Sequence, residues 1–198
     1  MNILIVVGKD KISRKLVNHL PQDNRLFVVI DDSNTTGRII KLLRKKRISL
    51  NNLIHMFLSE MFRRDYKISS CQKIKTNQDL LEVISNHKID LVILFRASLI
   101  INQQLMNSKS RILNVHCAKL PDYSGLGAIS RALKNQDYDQ VATLHKVATR
   151  IDSGEIIATS PYKLNRSWSY FNNENTAYDA GIKLILDTLD KELSKFEK

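Results

Sequence analysis

Ile3-Leu4-Ile5-Val6-Val7-Gly8 opens the chain with five consecutive apolar residues and a stop. A short run that is apolar at every position, without alternation, suits a parallel strand covered on both faces. Ile12, Leu16, Val17 and Leu20 then recur at helical spacing until Pro21 closes the segment. Leu26 to Ile30 reads as a second strand, ending at Asp31-Asp32. Strand, helix, strand is how a doubly wound α/β sheet begins.

The same alternation returns near Ile68. Thr76 with Asp79 three positions later predicts a capping box, and the helix it opens carries Leu80, Leu81 and Ile84. Ile89 to Phe95, Arg111 to His116, Val141 to Val147 and Glu155 to Tyr162 read as strands. Gly125 to Leu133 reads as a helix, and a last helix spans about 174–192 with Ala177, Ile182, Ile185, Leu186 and Leu189 on its apolar face. The expectation is one Rossmann-like domain over residues 1–198, with a mostly parallel sheet. Residues 37–64 interrupt it as a basic helical insertion. There Arg38, Lys41, Arg44, Lys45, Lys46 and Arg47 crowd together among Ile39, Ile40, Leu42 and Leu43. Leu53, Ile54, Met56, Phe57, Leu58, Met61 and Phe62 follow, then Arg63-Arg64, which predicts two amphipathic helices with basic faces.

The 198 residues are enough to bury a core without crosslinks, and an apolar content of 43% argues against a disordered chain. Cys71 and Cys117 form neither a disulfide framework nor a zinc spacing, so a reducing cytoplasm is the expected setting. No secretory signal and no membrane-spanning stretch is read. The net charge of +11 favours anionic partners without choosing among them. No G-x-G-x-x-G follows the first strand, which disfavours a dinucleotide oxidoreductase.

In sheets of this class ligands bind beyond the carboxyl ends of the strands. Asn114-Val115-His116 ends a predicted strand, and residues two apart on a strand share a face. The Asn amide and the imidazole are therefore expected side by side in one crevice. Cys117, one residue further, is expected to face away, which disfavours a thiol nucleophile. Leu120-Pro121-Asp122-Tyr123-Ser124-Gly125 is a turn-rich loop, and Ile151-Asp152-Ser153-Gly154 a tight loop between two strands.

Ile112-Leu113-Asn114-Val115-His116, Leu120-Pro121-x-Tyr123-x-Gly125, Thr143-Leu144-His145 and Ile151-Asp152-Ser153-Gly154-Glu155-Ile156-Ile157 together resemble the formyltetrahydrofolate-dependent formyltransferases. The resemblance is specific over residues 89–162 and loose over the N-terminal sheet. It implies a catalytic trio of Asn114, His116 and Asp152. It also implies 10-formyltetrahydrofolate as co-substrate, bound between Phe95, Ala97, Ser98, Leu99 and Ile100 on one side and Val147, Ala148, Thr149, Arg150 and Ile151 on the other. No metal is implied. Amide and imidazole N–H groups suit a developing oxyanion, and a carboxylate suits proton handling. Cys117 stands where the family usually has proline, and Arg150 where many relatives are acidic.

The acceptor amine is narrowed by elimination. The chain stops soon after its last helix, where methionyl-tRNA formyltransferase adds a second domain. The glycine-rich loop of glycinamide ribonucleotide transformylase is absent after the first strand. The expected acceptor is a nucleotide-linked amino sugar of bacterial surface polysaccharide synthesis, contacted by Gly8, Lys9, Tyr123, Ser124 and Gly125. Trp168, Tyr170 and Phe171 either stack on a base or close one end of the core. Two alternatives stay open: an enzyme of the glycinamide ribonucleotide or methionyl-tRNA type, and a non-catalytic basic domain that binds nucleic acid. The primary reading expects no nucleic-acid partner. For residues 38–64 three readings stand: a solvated face, a peripheral membrane contact, and a homodimer contact through Met56, Phe57, Met61 and Phe62.

Overall fold

The apolar run at the start of the chain lies within β1 (Asn2–Val7), an interior strand of a seven-stranded sheet. In this computed structural model, which describes residues 1–33, 37, 40, 43, 44 and 49–195, β1 is buried on both faces because its two neighbours are parallel strands under helices. β2 (Leu26–Asp31) pairs with it on one side and β4 (Ile89–Phe95) on the other. The short β3 (Gln72–Ile74) extends the sheet beyond β2, and β5 (Arg111–His116) beyond β4, both parallel. β6 (Asp139–Lys146) and β7 (Ile156–Lys163) are added antiparallel, giving the order β3-β2-β1-β4-β5-β6-β7. Pro161 sits on β7, the edge strand, where a missing N–H costs no interior ladder bond. This is the mostly parallel α/β sheet expected from the sequence.

Strand alternation divides the core in two. Ile3, Ile5, Val7, Leu91, Ile93, Phe95, Leu113 and Val115 face α1 (Lys11–His19), α5 (Ala128–Lys134) and the long α6 (Tyr170–Ser194). Leu4, Val6, Val92, Leu94 and Ile112 face α3 (Asn77–Asn86) and the one-turn α4 (Gln103–Met106). α1 is capped by Asp10, and α3 by the predicted Thr76–Asp79 box. Of the two helices expected over residues 37–64, the first lies outside the described residues apart from positions 37, 40, 43 and 44. The second is α2 (Leu50–Phe62). The helix expected from Gly125 begins at Ala128 instead, because Gly125 and Gly127 take left-handed backbone (φ 78° and 72°). No helix among the described residues is long and apolar enough to cross a membrane.

Gly181 marks the closest approach of α6 to the sheet. A Cβ there would lie 2.6 Å from Cys117 Sγ and 3.3 Å from a Phe95 ring carbon. Gly181→Ala is therefore an overpacking change, expected to cost about 1–3 kcal/mol in denaturant melts. Adding Cys117→Ala should return a measurable part of that loss, and strictly additive effects would contradict the contact.

Candidate active site

Asn114 and His116 lie on the same face of β5, and β5 is the boundary between the parallel and antiparallel parts of the sheet. The antiparallel register sets His145 of β6 directly opposite Asn114, with a bulge between Leu144 and His145. Asn114 Nδ2 lies 3.1 Å from His145 Nε2, and His145 Nδ1 lies 2.9 Å from the Lys146 carbonyl. A carbonyl only accepts, so His145 Nδ1 carries the proton and Nε2 accepts from the amide. That bond fixes which way the Asn114 amide points and leaves its second N–H for a ligand.

Asp152 enters from the loop between β6 and β7. Its backbone is left-handed (φ 52°), a conformation that aspartate tolerates better than most residues. Gly154, two residues on, rests against β6 so closely that a Cβ would come within 1.8 Å of the Lys146 carbonyl oxygen. The carboxylate accepts from the Gly125 N–H at 2.7 Å. It also stands 3.6 Å from His116 Nδ1 and 3.6 Å from His145 Nε2. His116 Nε2 donates to the Tyr123 carbonyl at 2.7 Å, so Nδ1 is the basic nitrogen of the neutral ring and it faces Asp152. Burial pushes the imidazole below its ordinary range, against the pull of the Asp152 carboxylate. One expectation changes here: with Nε2 committed to Tyr123, the His116 ring is placed to take a proton beside Asp152 rather than to donate to an oxyanion.

These groups open onto a cavity of about 470 Å³. Ala97, Ser98, Leu99 and Ile100 line one part of it, Val147, Ala148, Thr149 and Ile151 another, with Gly125 between. Phe95 does not line it. As the residue paired with Val7 it faces the opposite side of the sheet, fully buried and edge-on to Tyr178. Arg150 is exposed and outside the lining. Of the positions expected to meet the acceptor, Gly8 is tied to the Phe95 carbonyl, Lys9 is ion-paired to Asp32, Tyr123 is buried, and Ser124 caps Arg131 through its carbonyl. None of these four lines the cavity. Beyond Asn114, His116 and Asp152 the cavity continues between Asp10, Arg96, Tyr170 and Tyr178. The Arg96 guanidinium bonds Asp10 at 2.8 Å and stacks 4.2 Å from the Tyr178 ring centre. Trp168 is part-exposed and Phe171 packs on Arg63, so only Tyr170 of that aromatic trio reaches the cavity.

Two residues were given no role from the sequence. His145 was read only as part of a motif, and it is cross-strand register, which a sequence does not display, that sets it against Asn114. Asp31 is buried at the end of β2 and accepts the backbone N–H groups of Ser98 and Leu99 (the latter at 2.7 Å), pinning one wall of the cavity. Its place at a strand's carboxyl end was the available signal. Cys117 faces α6, away from Asn114, and burial pushes its thiol up to about 12. Among the described residues no group of three His, Cys, Asp or Glu side chains is arranged to hold a metal ion.

A doubly wound sheet with a cavity past its strand ends, floored by amide, imidazole and carboxylate, has the build of an enzyme. The model of the formyl transferase family matches residues 3–185, and the chain belongs to that family of formyl-transferring enzymes. It is 23% identical over 133 residues to methionyl-tRNA formyltransferase of Sulfurihydrogenibium sp. (strain YO3AOP1), covering 67% of this chain and 43% of that protein. It is 26% identical over 158 residues to methionyl-tRNA formyltransferase of Blochmanniella floridana, covering 79% and 46%. The chain thus spans less than half the length of these curated relatives. The fold is shared with phosphoribosylglycinamide formyltransferase from Bacillus halodurans (TM-score 0.67, 16% identity, 99% of this chain and 97% of that one). It is also shared with a 4-N formyltransferase from Francisella tularensis (TM-score 0.65, 17% identity, 98% of this chain and 70% of that one).

The two thiols should separate in a native thiol titration. Cys71 is half-buried, whereas Cys117 is buried and strongly resistant to ionisation. One equivalent is expected to react in native protein and two after unfolding. Two equivalents reacting at similar rates in native protein would contradict the placement of Cys117.

Proposed function

We propose that the protein transfers a formyl group from 10-formyltetrahydrofolate to the amino group of a nucleotide-linked amino sugar, in the cytoplasm, for surface polysaccharide synthesis. The observation that carries the chemical part is the convergence of Asn114 and His116, neighbours on β5, with Asp152 from the distant β6–β7 loop on one cavity. A flat pterin needs apolar walls and backbone hydrogen-bonding groups, and the segments 97–100 and 147–151 offer both. When bound there, the folate supplies the activated formyl carbon.

The roles follow from the hydrogen bonds. The free N–H of Asn114 is aimed at the oxygen on which negative charge develops. Unprotonated His116 Nδ1 accepts the proton shed by the attacking amine, and the Asp152 carboxylate 3.6 Å away stabilises the imidazolium. The same proton is then available to the departing folate nitrogen. For the acceptor, the support is the second lobe of the cavity. Tyr170 and Tyr178 offer flat apolar faces, and Arg96, set by Asp10, offers N–H donors to hydroxyl or phosphate oxygens. A fold also shared with a sugar N-formyltransferase from Shewanella sp FDAARGOS_354 (TM-score 0.63, 16% identity, 96% of this chain and 68% of that one) is consistent with a sugar amine. The fold shared with phosphoribosylglycinamide formyltransferase over nearly its whole length supports a second acceptor, glycinamide ribonucleotide.

The deciding assay mixes purified protein with 10-formyltetrahydrofolate and a panel of acceptors: nucleotide-linked 3- and 4-amino sugars, glycinamide ribonucleotide and methionyl-tRNA. Products are read by the mass gain of one formyl group. Formylation of an amino sugar alone is the expected result; formylation of glycinamide ribonucleotide alone would replace the acceptor assignment. Asn114→Ala should lower turnover by about 10²–10³ with folate binding kept.

The pH profile tests His116. The reaction uses its neutral form, so activity is present above its pKa and lost as pH falls through it. Burial places that acid limb below the ordinary imidazole value of about 6.5. Asp152→Asn removes an attraction that favours the imidazolium, so the limb should move to still lower pH while the rate falls. An acid limb that stays in place in Asp152→Asn would sink this pairing.

A further inference from the structure

Arg96 follows the last residue of β4 in a conformation that arginine seldom takes. Its backbone is left-handed (φ 55°), and its side chain reaches Asp10, the N-cap of α1. Gly8 makes room for this. Its N–H bonds the Phe95 carbonyl at 3.2 Å, and a Cβ on it would lie 2.8 Å from the Arg96 carbonyl oxygen and 3.0 Å from Asp10 Oδ2. Arg96 Nε donates to that Oδ2 at 2.8 Å, and the guanidinium lies over the Tyr178 ring. Two contacts thus fix the plane of the guanidinium while using one of its five N–H donors. Among the described residues no acceptor meets either Nη, and neither is sealed from solvent. The side chains of Arg96 and Asp10 keep 20% and 21% of their surface open, and both line the cavity. A purely structural ion pair needs neither a left-handed arginine nor donors left open to a cavity.

We infer, on the acceptor assignment proposed above, that Arg96 and Asp10 form a subsite that reads adjacent hydroxyls on the acceptor's sugar ring and turns a phosphate group away. The ring enters this lobe of the cavity, and the phosphates of the nucleotide stay outside the pair.

Hydrogen-bond polarity selects the ligand. A vicinal diol both donates and accepts. One hydroxyl gives its proton to the Asp10 carboxylate, whose oxygens have lone pairs to spare beyond Ser13 N–H and Arg96 Nε, and its neighbour accepts from an Arg96 Nη. A phosphate dianion only accepts. It would satisfy the guanidinium but stand against the Asp10 carboxylate, a like charge in a site partly closed to water. Charge balance favours the same ligand. The chain carries a net +11, yet among the described residues lining the cavity Arg96 is the one permanent cation, against the carboxylates of Asp10 and Asp152. Cations around the start of α1 are committed elsewhere: Lys9 to Asp32, Lys11 to the Met61 and Arg63 carbonyls, and Arg63 to Glu60 and Glu174. Tyr170 adds to the lobe a flat apolar face on which a sugar ring can pack.

The test is titration calorimetry with nucleotide-linked 3- and 4-amino sugars and, separately, with inorganic phosphate. Wild-type protein is compared with Asp10→Asn, Arg96→Gly and the double variant. Asparagine still caps α1 and still accepts from Arg96, and glycine suits the left-handed backbone. Thermal melts check that all three remain folded. In Asp10→Asn the ligands should move in opposite directions. The amino sugar should weaken by about tenfold or more and phosphate strengthen by about tenfold or more, because the guanidinium has lost its counter-charge. Arg96→Gly should weaken the amino sugar likewise, and in the double variant the phosphate gain should vanish. Parallel losses for both ligands in Asp10→Asn would mark a merely structural pair and overturn the inference. Amino-sugar affinity that ignores both substitutions overturns it, as does wild-type protein that binds no amino sugar. 10-Formyltetrahydrofolate is titrated alongside. Amino-sugar binding through the pair without folate binding would defeat the proposed reaction and leave this subsite standing; folate binding with an amino-sugar affinity indifferent to the pair would do the reverse.

Discussion

The carboxylate of Asp152 is the point on which the loop after β5, the end of β5 and β6 converge. It receives the Gly125 N–H, stands beside the basic nitrogen of His116, and lies equally near His145. Its own backbone is held left-handed by a loop pressed onto β6 at Gly154. A buried charge is tolerated only where donors and cations surround it. The turn at residues 124–127, the start of α5 and the end of β5 are arranged around it, and so is the mouth of the cavity.

β5 makes that arrangement useful. As the last parallel strand it delivers Asn114 and His116 to its carboxyl end, where a doubly wound sheet opens. As the first antiparallel neighbour of β6 it brings His145 across, and His145 orients the Asn114 amide. The other face of the same strand carries Val115, and Cys117 follows beyond its end. Both press against α6 at Gly181. One strand thus serves chemistry on one side and packing on the other, and the high pKa of the Cys117 thiol is a consequence of the packing side.

The cavity and α2 are linked in the same economical way. Asp10 caps α1 and fixes Arg96, so the sheet's switch point between β1 and β4 is closed by an ion pair with a face on the cavity. α2 contributes Met56 to the lining, polar anchors to α5 and α6, and an apolar row to the exterior.

Continuous apolar runs such as Ile3–Val7 and Leu91–Phe95 point to parallel strands by themselves, because a strand covered on both faces has no use for alternation. The Thr76–Asp79 capping box is legible for a similar reason: both partners lie within one turn. The shared face of Asn114 and His116 follows from strand geometry, and the family resemblance pointed to Asp152, which the fold sets 3.6 Å from His116. Other features depend on contacts between distant segments, which no local pattern encodes. Register against β6 made His145 a neighbour of Asn114, the parity of β4 turned Phe95 away from the cavity, and pairing with Asp32 occupied Lys9. The direction of α2 was also beyond the sequence. Its amphipathic pattern was plain, but only the buried partners Ser130, Lys11 and Glu174 decided that the polar side faces in and the apolar side faces out.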